Sequence, residues 1–304
     1  MLIEPRLEST LLLDQVAIVT GGSRGIGGAS SEMLAANGAH VVVADVDEAA
    51  AKKAVDSICS AYGEGRASAF VGDLVASGTC EDLVDSTVEA NGRVDIVVNN
   101  AGYVWDGGVH SMSDEQFQAM LDIHLIVPFR MARACAPHFR EQAQAEDAEG
   151  FRKFIMVSSM AAQWGLAGAA NYASAKAGML GLMRTLALEW GRIRVNSNAV
   201  AFGAVQTRFG LPQTDAETIK TGGREIRVGM TDKQAKQAGA EIDATKVWSD
   251  EEIYQPKRNR MVALGRHGTI REAAESIFWL ASPLSDYVTG QVIPVSGGAR
   301  GGLS

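Results

Sequence analysis

The chain has 304 residues, 46% hydrophobic and 21% charged, proportions that exclude disorder over most of its length and allow a sizeable core. Its 28 Lys+Arg against 36 Asp+Glu give a formal net charge of −8, which argues against a nucleic-acid surface, because that needs clustered positive charge. The basic runs 192–194 and 257–260 are short and read as solvated loops. Cys59, Cys80 and Cys135 are far apart with no C-x-x-C pair. They predict buried thiols in a reducing compartment rather than a disulfide framework or zinc site. No apolar run reaches the roughly 18 residues of a membrane span, and the first residues carry acids where a secretory leader has bases. The expectation is a cytoplasmic protein without membrane partners.

In chain order, apolar runs predict strands at 16–20, 40–44, 67–71, 95–99, 154–158, 194–198 and 291–295. Most are continuously apolar, the pattern of parallel strands covered on both faces. Helical stretches lie between them. Asp47 caps one that runs to Tyr62 and stops at Gly63, while Ser113 with Gln116 and Thr269 with Glu272 form capping boxes. This βαβ alternation predicts an α/β fold, a doubly wound parallel sheet in one domain spanning 1–304, behind an N-terminal extension over 1–13. Three stretches break the rhythm. Residues 141–150 read as a polar helix extension, 208–264 as a substrate-binding lid with helices of its own, and 297–304 as a glycine-rich tail ordered by a partner subunit.

Residues 20–27 read T-G-G-S-R-G-I-G, directly after a strand and opening a helix. Gly21, Gly25 and Gly27 leave bare backbone, with Ser23, Arg24 and Ile26 between them, where a diphosphate can approach the helix N-terminus. Asp45 closes the second strand, where a carboxylate accepts from the ribose hydroxyls and repels a 2′-phosphate. That predicts NAD; Arg24 is the feature that would instead admit NADP. Asp73, with Leu74 after it, follows the third strand and suits the adenine amino group. After the fourth strand, Asn100, Ala101 and Gly102 suit the adenine ribose and a brace for the sheet, and Asn99 reads equally as a purely structural residue.

Ser158-Ser159 follow the fifth strand, and Tyr172 and Lys176 stand four apart, on one face of a helix. An ammonium beside a phenol favours the phenolate and is expected to lower the tyrosine's pKa from about 10, at about 1.4 kcal/mol per tenfold change. With Ser159 holding a substrate oxygen, the group suits proton exchange with an alcohol during hydride transfer to nicotinamide.

These motifs, together with N-N-A-G at 99–102 and the closing L-G-R-H-G-T and Y-V-T-G-Q-V-I-P-V-S-G-G stretches, resemble the classical short-chain dehydrogenase/reductase family over 14–298. The resemblance implies a seven-stranded Rossmann fold, Tyr172 as general acid/base, Ser159 as donor to the substrate oxygen, and Lys176 on the nicotinamide ribose. It also implies a homo-oligomer, a dimer of dimers packed through its helices, consistent with the almost wholly apolar stretch 173–188. Two positions depart from the family pattern. His124 stands where the family has Asn; it reads either as a proton relay or as a packed helix residue. Phe202-Gly203 replaces Pro-Gly, although Val205 and Thr207 still match positions that bond the nicotinamide carboxamide. Phe202 either packs on the nicotinamide edge or fills core.

Within the family the chain looks most like reductases of 3-oxoacyl thioesters, which predicts an acyl-thioester substrate, with Trp164, Trp248 and Tyr254 as candidates for an apolar pocket. A sugar, steroid or other secondary alcohol is the enzyme alternative, and a lyase or epimerase a further one. A dinucleotide sensor without catalysis is the alternative from another class, opposed by the intact Ser159, Tyr172 and Lys176. No His/Cys/carboxylate cluster has the spacing of a metal site.

Overall fold

The computed structural model describes residues 10–146, 150–211, 213, 218–229 and 259–299. Seven parallel strands form the central sheet: β1 (Val16–Thr20), β2 (His40–Asp45), β3 (Ala67–Val71), β4 (Ile96–Asn99), β5 (Arg152–Ser159), β6 (Val195–Phe202) and β9 (Val292–Val295), in the order β3-β2-β1-β4-β5-β6-β9. The reversal of strand order beside β1 leaves a crevice at the carboxyl ends of β1 and β4, the place where open α/β sheets bind ligands. Every residue of β1, β4 and β6 is buried, which explains their unbroken apolar character: helices cover both faces.

One face packs on α3 (Thr79–Asn91), α5 (Val127–Ala145) and α7 (Ala170–Trp190) through Leu83, Met131, Phe139, Met179 and Met183. The other packs on α1 (Gly25–Ala36), α2 (Glu48–Tyr62) and α8 (Ile270–Ala281) through Leu34, Ile58, Ile277 and Leu280. The capping residues act as their sequence predicts. Asp47 accepts from the Ala50 amide at 3.0 Å, and complete capping boxes open α8 and α4 (Asp114–Leu121). Among the described residues, no helix is long and apolar enough to cross a membrane.

One expectation needs correction, and two are met only by part of their residues. The sixth strand runs to Phe202, four residues beyond its apolar signal, because β6 pairs with β5 along all eight residues of each. The described part of the 208–264 segment contains a 3₁₀ turn, Arg208–Gly210, and an antiparallel hairpin, β7 (Thr218–Thr221) and β8 (Arg224–Arg227), rather than helices. Any helices of its remainder, with Trp248 and Tyr254, lie outside the described residues, as does 1–9. Finally, Gly297 and Gly298 accept from the amides of Leu264 and Ala263 at 3.0 and 3.3 Å, contacts that the start of the tail makes within its own chain.

Candidate active site

The glycine turn is shaped by close approach. Gly21 and Gly25 adopt φ of +60° and +55°, a region that disfavours side chains. A Cβ on Gly27 would lie 2.0 Å from the Gly21 carbonyl and 2.4 Å from Asn100 Nδ2. Asn100 braces this turn: its Nδ2 donates to the carbonyls of Thr20 and Gly21 at 3.0 Å each, and its own amide donates to Thr20 Oγ1. Asn99 instead turns into the sheet, its Nδ2 donating to the Ile155 carbonyl at 3.3 Å, which supports its structural reading.

Asp45 accepts from the Ser23 amide and hydroxyl and from the Asp47 amide. Arg24 turns away to Asp47, Nη2 to Oδ2 at 2.6 Å. The Ala50 amide, helped by Arg24, holds the Asp47 carboxyl below the usual range. The bare cradle and the acid at the second strand's end fit the diphosphate and ribose of a nicotinamide dinucleotide.

A cavity of about 650 Å³ runs from this turn to the end of β5. It brings together every residue that the sequence marks for the cofactor: Gly21, Ser23, Arg24, Gly25, Ile26, Gly27, Asp45, Asp73, Leu74, Asn100, Ala101, Gly102, Gly203, Val205 and Thr207. Ser159, Tyr172, Lys176 and His124 share it. Phe202 both lines the cavity and belongs to the core, whereas Trp164 does not line it. Asp106 and the hairpin residues Thr218, Lys220, Thr221 and Val228 also line it, and sequence reasoning missed them. A signal for the hairpin was present: two short β-prone runs flank Gly222-Gly223.

Ser159 ends β5, and its Oγ accepts from the Ala161 amide at 3.1 Å. Buried Asn171 anchors the start of α7, donating to the carbonyls of Trp105 and Gln116 at 3.0 Å each and accepting from the Tyr172 amide. It is a positioning residue that the sequence did not reveal. One turn along α7, Lys176 Nζ donates to the Val157 carbonyl at 2.6 Å and lies 5.7 Å from the centre of the Tyr172 ring. Burial drops the Lys176 ammonium to about 7. Burial likewise pushes the Tyr172 phenol up to about 12, against a lowering hydrogen bond with Ser159 and with Asp106 adding to the rise. The expected lowering by Lys176 is therefore absent: desolvation dominates beside a neighbour whose own charge is disfavoured.

His124 lies in a π-helical turn, Asp122–Ile126, between α4 and α5. Nε2 bonds the Tyr103 carbonyl at 2.8 Å. Since a carbonyl only accepts, Nε2 carries the proton and Nδ1 is the acceptor; that atom is buried and has no partner among the described residues. The ring meets Tyr172 edge-on at 5.1 Å between centroids. Burial first, then the Lys176 charge, pull its pKa well below 6.5, so the imidazole is neutral.

Glycine turn, strand-end acid and the Ser159, Tyr172 and Lys176 group define a nicotinamide-dependent oxidoreductase. The comparisons agree. The short chain dehydrogenase family model matches residues 15–218, and the model described as Enoyl-(Acyl carrier protein) reductase matches 221–300. The chain belongs to the short-chain dehydrogenase/reductase family and is an NAD(P)-dependent oxidoreductase. It is 34% identical to the short-chain reductase protein NovJ of Streptomyces niveus, covering 94% of each chain. It is 30% identical to the 3-oxoacyl-[acyl-carrier-protein] reductase FabG of Chlamydia muridarum, over 95% of this chain and 99% of the relative. To the hydroxyacyl-CoA dehydrogenase ChsB1 of Mycobacterium tuberculosis it is 34% identical, over 94% and 93%.

Proposed function

We propose that the protein interconverts a 3-oxoacyl thioester and its 3-hydroxyacyl form with NAD(H), Tyr172 carrying the proton. The observation that carries this reading is the placement of Tyr172, Ser159 and Lys176 in the same cavity as the glycine turn. The names of the relatives, a 3-oxoacyl-[acyl-carrier-protein] reductase and a hydroxyacyl-CoA dehydrogenase, support the substrate class.

In the reducing direction a bound nicotinamide supplies the hydride to the carbonyl carbon. Ser159 holds the carbonyl oxygen, and the Tyr172 hydroxyl gives it a proton, completing the alcohol. The phenol, raised to about 12, stays protonated and ready to donate at neutral pH. Lys176 then stabilises the phenolate that remains, and its charge is better tolerated once that anion forms beside it. His124, neutral and with Nδ1 buried without a partner among the described residues, is the acceptor we assign to the path that returns the proton to Tyr172.

NAD is preferred over NADP because Asp45 and Asp47 place two carboxylates beside the ribose position, and Arg24 is neutralised by Asp47. We propose further that the protein works as a cytoplasmic homo-oligomer, a dimer of dimers; exposed Phe129 on α5 and Leu188 on α7 are apolar surface that such packing would cover.

The test is oxidation of NADH, and of NADPH in parallel, with a 3-oxoacyl thioester. Turnover should be faster with NADH. Tyr172→Phe should lower kcat by about 100-fold or more while the Kd for NADH holds. Equal kcat in Tyr172→Phe refutes the proton role; silence toward thioesters with intact NADH binding refutes the substrate class.

A further inference from the structure

The β7–β8 hairpin falls in the stretch expected to cover substrate, yet β7 lines the cofactor cavity along Thr218, Lys220 and Thr221. Its tip, Gly222-Gly223, has φ of +56° and +73°, the two-residue turn that suits strand twist and demands glycine. That tip is held on Asp73. Thr221 Oγ1 donates to Asp73 Oδ1 at 2.7 Å, and the Gly222 amide donates to Oδ2 at 2.6 Å. Both carboxylate oxygens are thereby engaged, Oδ1 also accepting from the Val75 amide at 3.1 Å.

Two more contacts fix the hairpin from the other strand. Ile226 is 3% exposed and packs into the core beneath the sheet. Arg224 pairs with Glu115 and Asp122 at 3.2 and 3.5 Å, at the opposite rim of the crevice. The hairpin thus spans from the end of β3 to α4, facing the glycine turn across the cavity.

We propose that β7 is a second wall of the dinucleotide site and that Asp73 serves as its latch, not as a ligand of the adenine. The proposal rests on reading this cavity as the cofactor site. A carboxylate whose oxygens already take charge-assisted hydrogen bonds from Thr221 and Gly222 has little left for an exocyclic amine. A cofactor lying between the glycine turn and β7 is held from both sides, so opening the latch speeds release of the dinucleotide.

The experiment measures NADH release by loss of its fluorescence on displacement with excess ADP-ribose, in wild type, Asp73→Ala and Thr221→Val. Amide hydrogen exchange of 218–229 is followed without cofactor in the same three proteins. Thr221 touches Asp73 but offers the adenine nothing in place of that carboxylate, which separates the two roles and guards against local disturbance in Asp73→Ala. The latch predicts release about 10-fold faster in Thr221→Val, the loss of one hydrogen bond to a charged group, and at least as fast in Asp73→Ala, with quicker exchange of the hairpin in both. Faster release in Asp73→Ala alone, with Thr221→Val like wild type, overturns the latch in favour of a direct adenine contact. Unchanged hairpin exchange in both variants overturns the latch as well. A wild-type chain that binds no NADH refutes the cofactor reading, and the wall with it, whatever the exchange data show of the tip contact.

Discussion

Gly102→Ala tests the geometry of the site at a single carbon. A Cβ built on Gly102 falls 2.3 Å from His124 Cε1 and 2.9 Å from Nδ1, so the methyl cannot enter without displacing the imidazole. The ring has little room to yield. Nε2 is bonded to the Tyr103 carbonyl at 2.8 Å, the far side meets Tyr172, and His124 is only 2% exposed. Overpacking of this kind costs about 1–3 kcal/mol, and loss of the Tyr103 bond adds about 1 kcal/mol. A net loss of about 2–4 kcal/mol corresponds to a fall in Tm of about 3–6 °C for a chain of this length. The assay is thermal unfolding of four proteins: wild type, Gly102→Ala, His124→Ala and the double variant. His124→Ala is itself destabilising, since it empties a buried site, but it makes room for the methyl. The double variant should then be no less stable than His124→Ala, a coupling of about 2 kcal/mol. If Gly102→Ala costs the same with and without the imidazole, the two residues are not in contact and the placement of His124 is wrong.

Two further predictions follow from charge. Burial drops Lys176 from 10.5 to about 7 in the folded, cofactor-free chain, so the unfolded chain holds that proton more firmly. The penalty is complete below about pH 7, shrinks as pH rises and is gone above about pH 10.5, with an upper bound of about 5 kcal/mol. Lys176→Met should therefore raise Tm more at about pH 6 than at about pH 10; equal changes at both would contradict the buried ammonium. Asp45→Ala removes the carboxylate that meets Ser23 and Asp47, and should move the NADPH/NADH ratio of kcat/KM upward by about 10-fold. An unchanged ratio would show that another group selects the ribose.

The strands were legible because each carries its own signal: a strand covered on both faces is apolar throughout, and no neighbour is needed to see it. Helix caps were legible for the same reason, since Asp47, Ser113 and Thr269 act on amides three residues away. The glycine turn and the Ser159, Tyr172 and Lys176 group were legible as spacings. What the sequence concealed depends on depth and on distant pairs. Lys176 beside Tyr172 suggests a lowered phenol when read along the helix, but burial, which no local pattern encodes, reverses the direction. Asp73 looks committed to an adenine until the hairpin, 148 residues further on, is folded against it. The π-helical turn at 122–126 is silent too, because its residues continue a helical pattern and only the backbone bonding changes.

His124 is accommodated by its neighbours. An imidazole is larger than the Asn that the family resemblance leads one to expect, and the structure accommodates it where Gly102 offers no side chain. The widened turn places the ring between the Tyr103 carbonyl and the Tyr172 ring. Burial there, beside Lys176, keeps it uncharged. A charged imidazolium at this place would oppose the Lys176 ammonium. Neutral, it offers Nδ1 as an acceptor at no electrostatic cost to that ammonium. The substitution thus keeps the acceptor capacity of an amide oxygen, and it requires the glycine 22 residues earlier in the chain.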